Sequence, residues 1–350
     1  MSTPTITSLA FLTPGNFADD DPYTGLEETL QLFEHGERLG YDGAWVRQRH
    51  LEHGVGSAAV FLAAAGQRTE RIELGTAVIP IGYENPFRLA EDLALADVLS
   101  RGRLQVGFST GMPHAELLGD LVYDGDWRGF DLSYGRIARL VDNLRGDHLG
   151  GPDTVIRSPG NTQRPRLQPH NPALVKRIWY GGGSLRSVRW AAGSGHHLLT
   201  GNIVSGEGTG EFTTAQLNLL AEYRRHLSGD RPARVALGRV IVPLDSADAA
   251  TRARYRAYAA GRHARTLKPQ TPAAGRKPVL FAPDVVGTAD EILERLTADP
   301  VLAQVSELRL ELPYEFHRAE YEQILHDVRH LIAPELGWHP AAPALRETVG

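Results

Sequence analysis

The chain has 350 residues, with 37 Lys and Arg against 42 Asp and Glu for a formal net charge of −5, and no long basic run, which argues against nucleic acid as its main partner. It contains no cysteine, so disulfides, thiolate zinc sites, iron–sulfur clusters and cysteine nucleophiles are excluded. Length alone suggests two domains, a soft prior because α/β barrels of this size run as one.

In chain order, short apolar runs alternate with helical periodicity. ITSLAFL (6–12) reads as a strand, and Leu26, Leu30 and Phe33 mark one face of the helix after it. Thr24, with Glu27 three residues on, has capping-box spacing and predicts the helix start. DGAWV (42–46) is the next strand and SAAVFLAAAGQ (57–67) the next helix. RIELGTAVIP (71–80) precedes a helix with Leu89, Leu93 and Ala96 on one side, and RLQVGFS (103–109) precedes a helix over 132–144. A Pro-, Asn- and Gln-rich stretch, 150–172, then breaks the rhythm and reads as a surface excursion.

The rhythm resumes with RIWYGG, a helix after Ser184, HHLLTG (196–201) and a helix over 211–227. RVALGRVIVP (234–243) and a helix over 247–265 lead into a second Pro-rich segment, 266–283. The last unit has a capping box at Thr288 and Glu291, a helix to residue 299, and the strand ELRLELP (307–313). A closing helix carries Tyr321, Ile324, Leu325, Val328, Leu331 and Ile332 on an apolar face. Eight strands, each followed by helical pattern, predict an α/β fold: a closed (β/α)8 TIM barrel with insertion loops. One barrel domain over 1–335 and a C-terminal tail over 336–350 are expected, with the two long loops as lids. No apolar run approaches the ~18 residues that span a bilayer, and MSTPTITSLAFLTPG lacks the features of a leader, so a soluble cytoplasmic protein without membrane contact is expected.

The strand ends carry the chemistry. At YGGGS (180–184), N–H groups at a helix start favour an anion, Gly182 and Gly183 let phosphate oxygens approach, and Ser184 and Ser187 add hydroxyls. The same residues suit a plain tight turn with Ser184 as N-cap. A dinucleotide fingerprint fails, because Arg186 stands where its third glycine is needed and the next acidic residue is Glu207. WVRQRHLEHG (45–54) sets Arg47, Arg49, His50 and His53 past a strand end, where together they favour an anionic or carbonyl substrate and singly they read as solvated loop charges. GTAVIP offers small residues against which a flat ring could lie, or Ala77 merely packs; VGFSTGMPHAE places Ser109, Thr110 and His114 at another strand end. Metal chemistry has little support, since His196 and His197 lie on opposite sides of a strand.

Taken in this order, these residues resemble the bacterial luciferase-like monooxygenase superfamily of flavin-dependent enzymes. The resemblance is strongest over 40–111, and PALVKRIWYGGGSLRSVRWAAGSGHHLLTGN and VGTADEILERL…VSELRLELP extend it over most of the chain. It implies a barrel that binds reduced FMN (FMNH2) supplied by a separate flavin reductase, activates O2 at the flavin C4a and oxidises a small organic substrate. A homodimer is the usual state of the family. By position, Ala77 and Val78 would form the ledge under the isoalloxazine, often through a non-proline cis peptide. Ser109, Thr110 and Met112 would line the flavin, and Gly183, Ser184, Leu185 and Ser187 would hold its phosphate.

Two positions depart from the luciferase pattern. The pair Arg49–His50 has arginine where a catalytic histidine comes first. Arginine stays protonated, so Arg49 would bind an anion or stabilise developing negative charge. His50 is then the remaining acid/base candidate, and light emission is not expected. Thr110 stands where luciferase has an arginine paired with the FMN phosphate, a loss that would weaken binding unless Arg186 or another cation compensates. Two other readings stay open: F420-dependent hydride transfer on the same fold, whose glycine-rich acidic signature STGMPHAE does not match closely, and a non-catalytic flavin-binding barrel.

Overall fold

The structure, a computed structural model, describes residues 4–228, 233–266 and 277–340. Parallel strands close into a barrel in chain order: β1 (Ser8–Thr13), β2 (Gly43–Val46), β3 (Glu73–Pro80), β4 (Leu104–Ser109), β5 (Ile178–Gly181), β6 (His197–Thr200), β7 (Val235–Arg239) and β8 (Glu307–Glu311). The eighth strand returns to the first, with pairs running from Ser8↔Glu307 to Leu12↔Glu311. Each of the eight strands expected from the sequence is one of these. Around them lie α1 (Pro22–Leu39), α2 (Ala58–Arg68), α3 (Pro86–Leu99), α4 (Ala115–Tyr123), α5 (Tyr134–Arg145), α6 (Leu185–Gly193), α7 (Phe212–Arg225), α8 (Ala249–Thr266), α9 (Ala289–Ala298) and α10 (Arg318–Asp327).

The strands read as continuous apolar runs because both faces are covered. Alternation sorts them: Leu9 and Phe11 join the shell packed under the helices, while Ala10 and Leu12 join the barrel interior with Trp45, Trp179 and Leu199. The two indoles meet edge to face with centroids 5.5 Å apart. Below them Gln105 accepts from Trp179 Nε1 at 2.8 Å, and Arg234 holds both Glu307 (2.7 Å) and Glu73 (2.9 Å).

Several expectations need correction. The helix α1 starts at Pro22, with Asp21 accepting from the Thr24 N–H at 3.2 Å. A carboxylate N-cap followed by a proline at the first helical position fixes the start ahead of Thr24. At α9 the Thr288–Glu291 capping box forms as expected. The helix α4 was not anticipated at all. A π-turn over Val328–Ile332 rotates Leu331 out to 41% exposure, while Val328 and Ile332 stay buried. The tail does not begin at 336: Leu336 and Trp338 are buried, and Trp338 Nε1 donates to Asp42 at 2.7 Å. Residues 341–350 lie outside the described residues.

The excursion 150–172 is not a lid. It carries a small exposed hairpin (Ile156–Ser158 with Asn161–Gln163) and runs from the C-terminal end of α5 to the N-terminal end of β5. A helix-to-strand connection emerges at the face opposite the strand C-termini, where barrel active sites sit. Asn171 accordingly donates to Asp97 at 2.5 Å, and Asp97 also caps the Leu104 N–H at the start of β4. Of the second expected lid, 267–276 lie outside the described residues. Its far end is at the correct face, where Val279–Phe281 pairs antiparallel with Ile203–Ser205 just past β6.

Candidate active site

A cavity of about 990 Å³ opens at the C-terminal ends of the strands. One arc of its wall is small side chains and bare backbone: Ala77 and Val78 from β3, Ser109 from β4, and Gly181, Gly182 and Gly183 after β5. The Ala77–Val78 peptide is cis, as the resemblance implies. There β3 takes three steps, Thr76 to Ile79, where β4 takes two, Val106 to Phe108. Thr76 Oγ1 accepts from the Gly107 N–H at 2.9 Å and donates to Gly107 O at 3.0 Å, which pins the irregularity. A Cβ on Gly181 would stand 3.0 Å from Val78 Cγ1, so glycine there lets the valine turn into the mouth. Asn202, past β6, adds an amide whose Oδ1 is buried with no hydrogen-bond partner.

The facing arc is charged. Arg47 Nη2 meets Glu311 Oε2 at 2.9 Å, and Arg49 Nη2 donates to Tyr314 Oη at 3.0 Å. Arg309 lies below them against the Trp45 ring, 5.1 Å from its centroid. The Arg49 N–H donates to Val55 O at 2.9 Å, fixing the chain so that Arg49 faces the mouth and His50 turns away. His50 does not line the cavity. Its ring packs edge-on to Tyr83 at 5.1 Å and its Nε2 is 3.3 Å from Gln48 Nε2, while burial holds its pKa below the usual imidazole value.

Other expected flavin contacts also divide. Ser109 and Gly183 line the cavity, but Thr110, Met112, Ser184, Leu185 and Ser187 do not. Thr110 Oγ1 lies 3.3 Å from Tyr180 Oη, and Met112 fills the space beside Gly82. At the head of α6, Ser184 and Ser187 cap one another, so the Ser187 N–H reaches Ser184 Oγ at 3.2 Å and the Ser184 N–H reaches Ser187 Oγ at 3.0 Å. The Leu185 N–H donates to Glu207 Oε2 at 2.6 Å, and Glu207 pairs with Lys277. The chain's own carboxylate therefore sits where an anion was expected. Burial alone would raise the Glu207 pKa, but hydrogen bonds from Lys277 and Leu185 outweigh it and hold it below the usual carboxylate range. Arg186 is exposed, with its guanidinium 5.7 Å from the Tyr134 ring centroid.

The family model for luciferase-like monooxygenases matches residues 7–304. The chain belongs to the luciferase-like monooxygenase family. A limonene 1,2-monooxygenase of Rhodococcus erythropolis is 41% identical over 114 residues, covering 31% of this chain and 30% of that protein. An F420-dependent glucose-6-phosphate dehydrogenase of Nocardia farcinica is 32% identical over 129 residues, covering 35% of this chain and 37% of that protein. The chain thus spans between 30% and 37% of the length of these curated relatives. A solved type II Baeyer–Villiger monooxygenase, the oxygenating constituent of 3,6-diketocamphane monooxygenase of Pseudomonas putida in complex with FMN, shares the fold. Its TM-score is 0.65 at 14% identity, over 95% of this chain and 98% of its own. The relatives are oxidoreductases by name; the Nocardia farcinica dehydrogenase is named for F420, and the Pseudomonas putida structure holds FMN. Among the described residues of this luciferase-like chain, no helix is long and apolar enough to cross a membrane.

Sequence reading passed over Arg309, Glu311, Tyr314 and Asn202. The signal for the first two was present: Glu307, Arg309 and Glu311 alternate with Leu308 and Leu310 in a strand otherwise read only as apolar. Residues at period two on one barrel strand share a face, and Leu308 and Leu310 take the helix-covered side here, which leaves the charges the interior.

Proposed function

We propose that the chain is an FMN-dependent oxidoreductase, a two-component monooxygenase that oxidises a small organic substrate with reduced FMN and O2. The observation that carries this reading is the small-residue arc Ala77–Val78, Ser109 and Gly181–Gly183, a flat wall at the catalytic face of the barrel. The residues fit a flavin: the glycines leave the wall bare for a ring, and the orphaned Asn202 Oδ1 can accept from a ring N–H. FMN, when bound, supplies the reducing equivalents and the reactivity toward O2. Its phosphate would lie beside Gly183 at the head of α6, taking over the Leu185 N–H from Glu207, with Lys277 as the near cation. Ser184 and Ser187 then shape the turn.

Arg49 would stabilise negative charge developing on oxygen, as a permanently protonated group can. Tyr314 Oη, whose lone pair accepts from Arg49, keeps its own hydrogen to donate toward the cavity. Leu12, Leu199, Val240 and Leu312 form the apolar part of the wall that keeps water from the reacting centre. The Pseudomonas putida neighbour is described as an oxygenating constituent, which supports placing flavin reduction on a separate reductase. A homodimer is part of the same reading.

The Nocardia farcinica relative favours a second reading, hydride transfer to or from F420 at the same wall. Anaerobic titration with FMN, reduced FMN and F420, followed by admission of O2, separates the two. Tight binding of reduced FMN, with oxidation kinetics unlike those of free flavin, is expected. F420 reduction by an alcohol or aldehyde would overturn the monooxygenase reading, and binding without turnover would leave a non-catalytic barrel.

A further inference from the structure

Barrel interiors are ordinarily filled by branched apolar side chains. Here β8 sends three charges inward, and two are spoken for: Glu307 is held by Arg234 at 2.7 Å and Glu311 by Arg47 at 2.9 Å. Arg309, between them, has no such partner. It is 3% exposed, and among the described residues its Nε and Nη1 are buried without any hydrogen bond. Burial lowers its pKa to about 10, with neighbouring Glu311 pulling it back up, so it stays protonated at neutral pH. A buried guanidinium with unmade hydrogen bonds is destabilising unless something accepts from it.

Arg309 nonetheless lines the cavity. Among the described residues the wall carries four arginines, and three have an acidic partner: Arg47 with Glu311 at 2.9 Å, Arg49 with Glu52 at 3.8 Å and Arg262 with Asp284 at 2.9 Å, whereas Arg309 has none. We propose that Arg309 is the floor of a substrate subsite for a carboxylate: a small organic acid, entering past Arg47 and Arg49, whose oxygens accept from the Arg309 guanidinium. A carboxylate suits the site better than a neutral carbonyl. Charge-assisted hydrogen bonds are about twice as strong as neutral ones, and a carboxylate supplies the counter-charge that Arg309 lacks. The inference rests on the proposed function only in naming this ligand the substrate; the unpartnered arginine does not depend on the flavin.

Isothermal titration calorimetry tests it on the whole chain, with and without FMN, using acetate, hexanoate, benzoate and phenylacetate, each beside its own amide. The expected result is that at least one acid binds about tenfold or more tightly than its amide, a difference worth about 1.4 kcal/mol. In Arg309→Met that preference should vanish, and in Arg309→Lys part of it should remain. The unliganded Arg309→Met protein should melt no lower than the wild type, because methionine removes an unpaired buried charge; an arginine kept for structure would show a clear drop. No acid preferred over its amide, a preference that survives Arg309→Met, or a lowered melting temperature would each overturn the subsite. FMN binding is read separately on the same samples. Acid preference without FMN binding sinks the flavin reading alone, and FMN binding without acid preference sinks the subsite alone.

Discussion

The arc of the mouth from β3 to β6 is backbone and small side chains, whereas the arc from β8 through β1 to β2 carries Arg309, Glu311, Tyr314, Arg47 and Arg49. The first presents area and shape, which suit a flat cofactor whose contacts are mostly dispersion and backbone hydrogen bonds. The second presents directed donors held by ion pairs, which suit discrimination among small polar ligands. One wall of the barrel mouth is thus built to accommodate and the other to select, and changes on either should be felt separately.

The largest expected effect comes from filling the bare arc. A Cβ at Gly183 meets only Ile203 O, at 3.5 Å, so Gly183→Tyr is compatible with the fold while its ring occupies the cavity. Its FMN dissociation constant should rise by about 100-fold, or roughly 2.7 kcal/mol, as read by flavin fluorescence. On the charged arc, Glu311→Ala strands Arg47, whose side chain is 23% exposed against 13% for Glu311. Because the pair is only partly buried, urea unfolding should show a loss of about 2 kcal/mol, below the range for fully buried pairs. FMN affinity should change little, and a large change would break the separation of the two walls.

Smaller effects are expected at the head of α6. Ser184→Asp keeps a good N-cap, so the melting temperature should hold, while like charge beside the phosphate should weaken FMN binding by about tenfold. Unchanged affinity there would remove the phosphate from this turn. The smallest change is Glu207→Gln, which removes the negative charge that competes with the phosphate for the Leu185 N–H and Lys277 and should tighten FMN by about threefold to tenfold. The sign follows from the depressed pKa of Glu207: its carboxylate is charged at neutral pH, so wild type and variant should differ fully there. The gap should close as pH falls through the Glu207 value, followed in FMN titrations from neutral pH downward.

The two walls were not equally legible in the sequence. The bare one is three contiguous motifs, GTAVIP, GFSTG and YGGGS, each local enough to be seen. The charged one joins residues far apart in the chain, Arg47 to Glu311 and Arg49 to Tyr314, and depends on barrel closure between β1 and β8. Whether Arg49 or His50 faces the mouth is a matter of side-chain parity past β2, and the Arg49–Val55 backbone bond decides it. Capping shows the same limit: Thr24–Glu27 and Thr288–Glu291 have identical spacing, and only the second lacks a stronger start just upstream. The 150–172 excursion was misjudged for a reason open to sequence, since a loop that follows a helix and precedes a strand belongs to the opposite face.

The division of labour is tested most directly by FMN titration of the wild type, Gly183→Tyr and Arg309→Met in parallel. The dissociation constant should rise about 100-fold with the first substitution and move less than about threefold with the second. Loss of FMN binding in Arg309→Met with normal binding in Gly183→Tyr would contradict it.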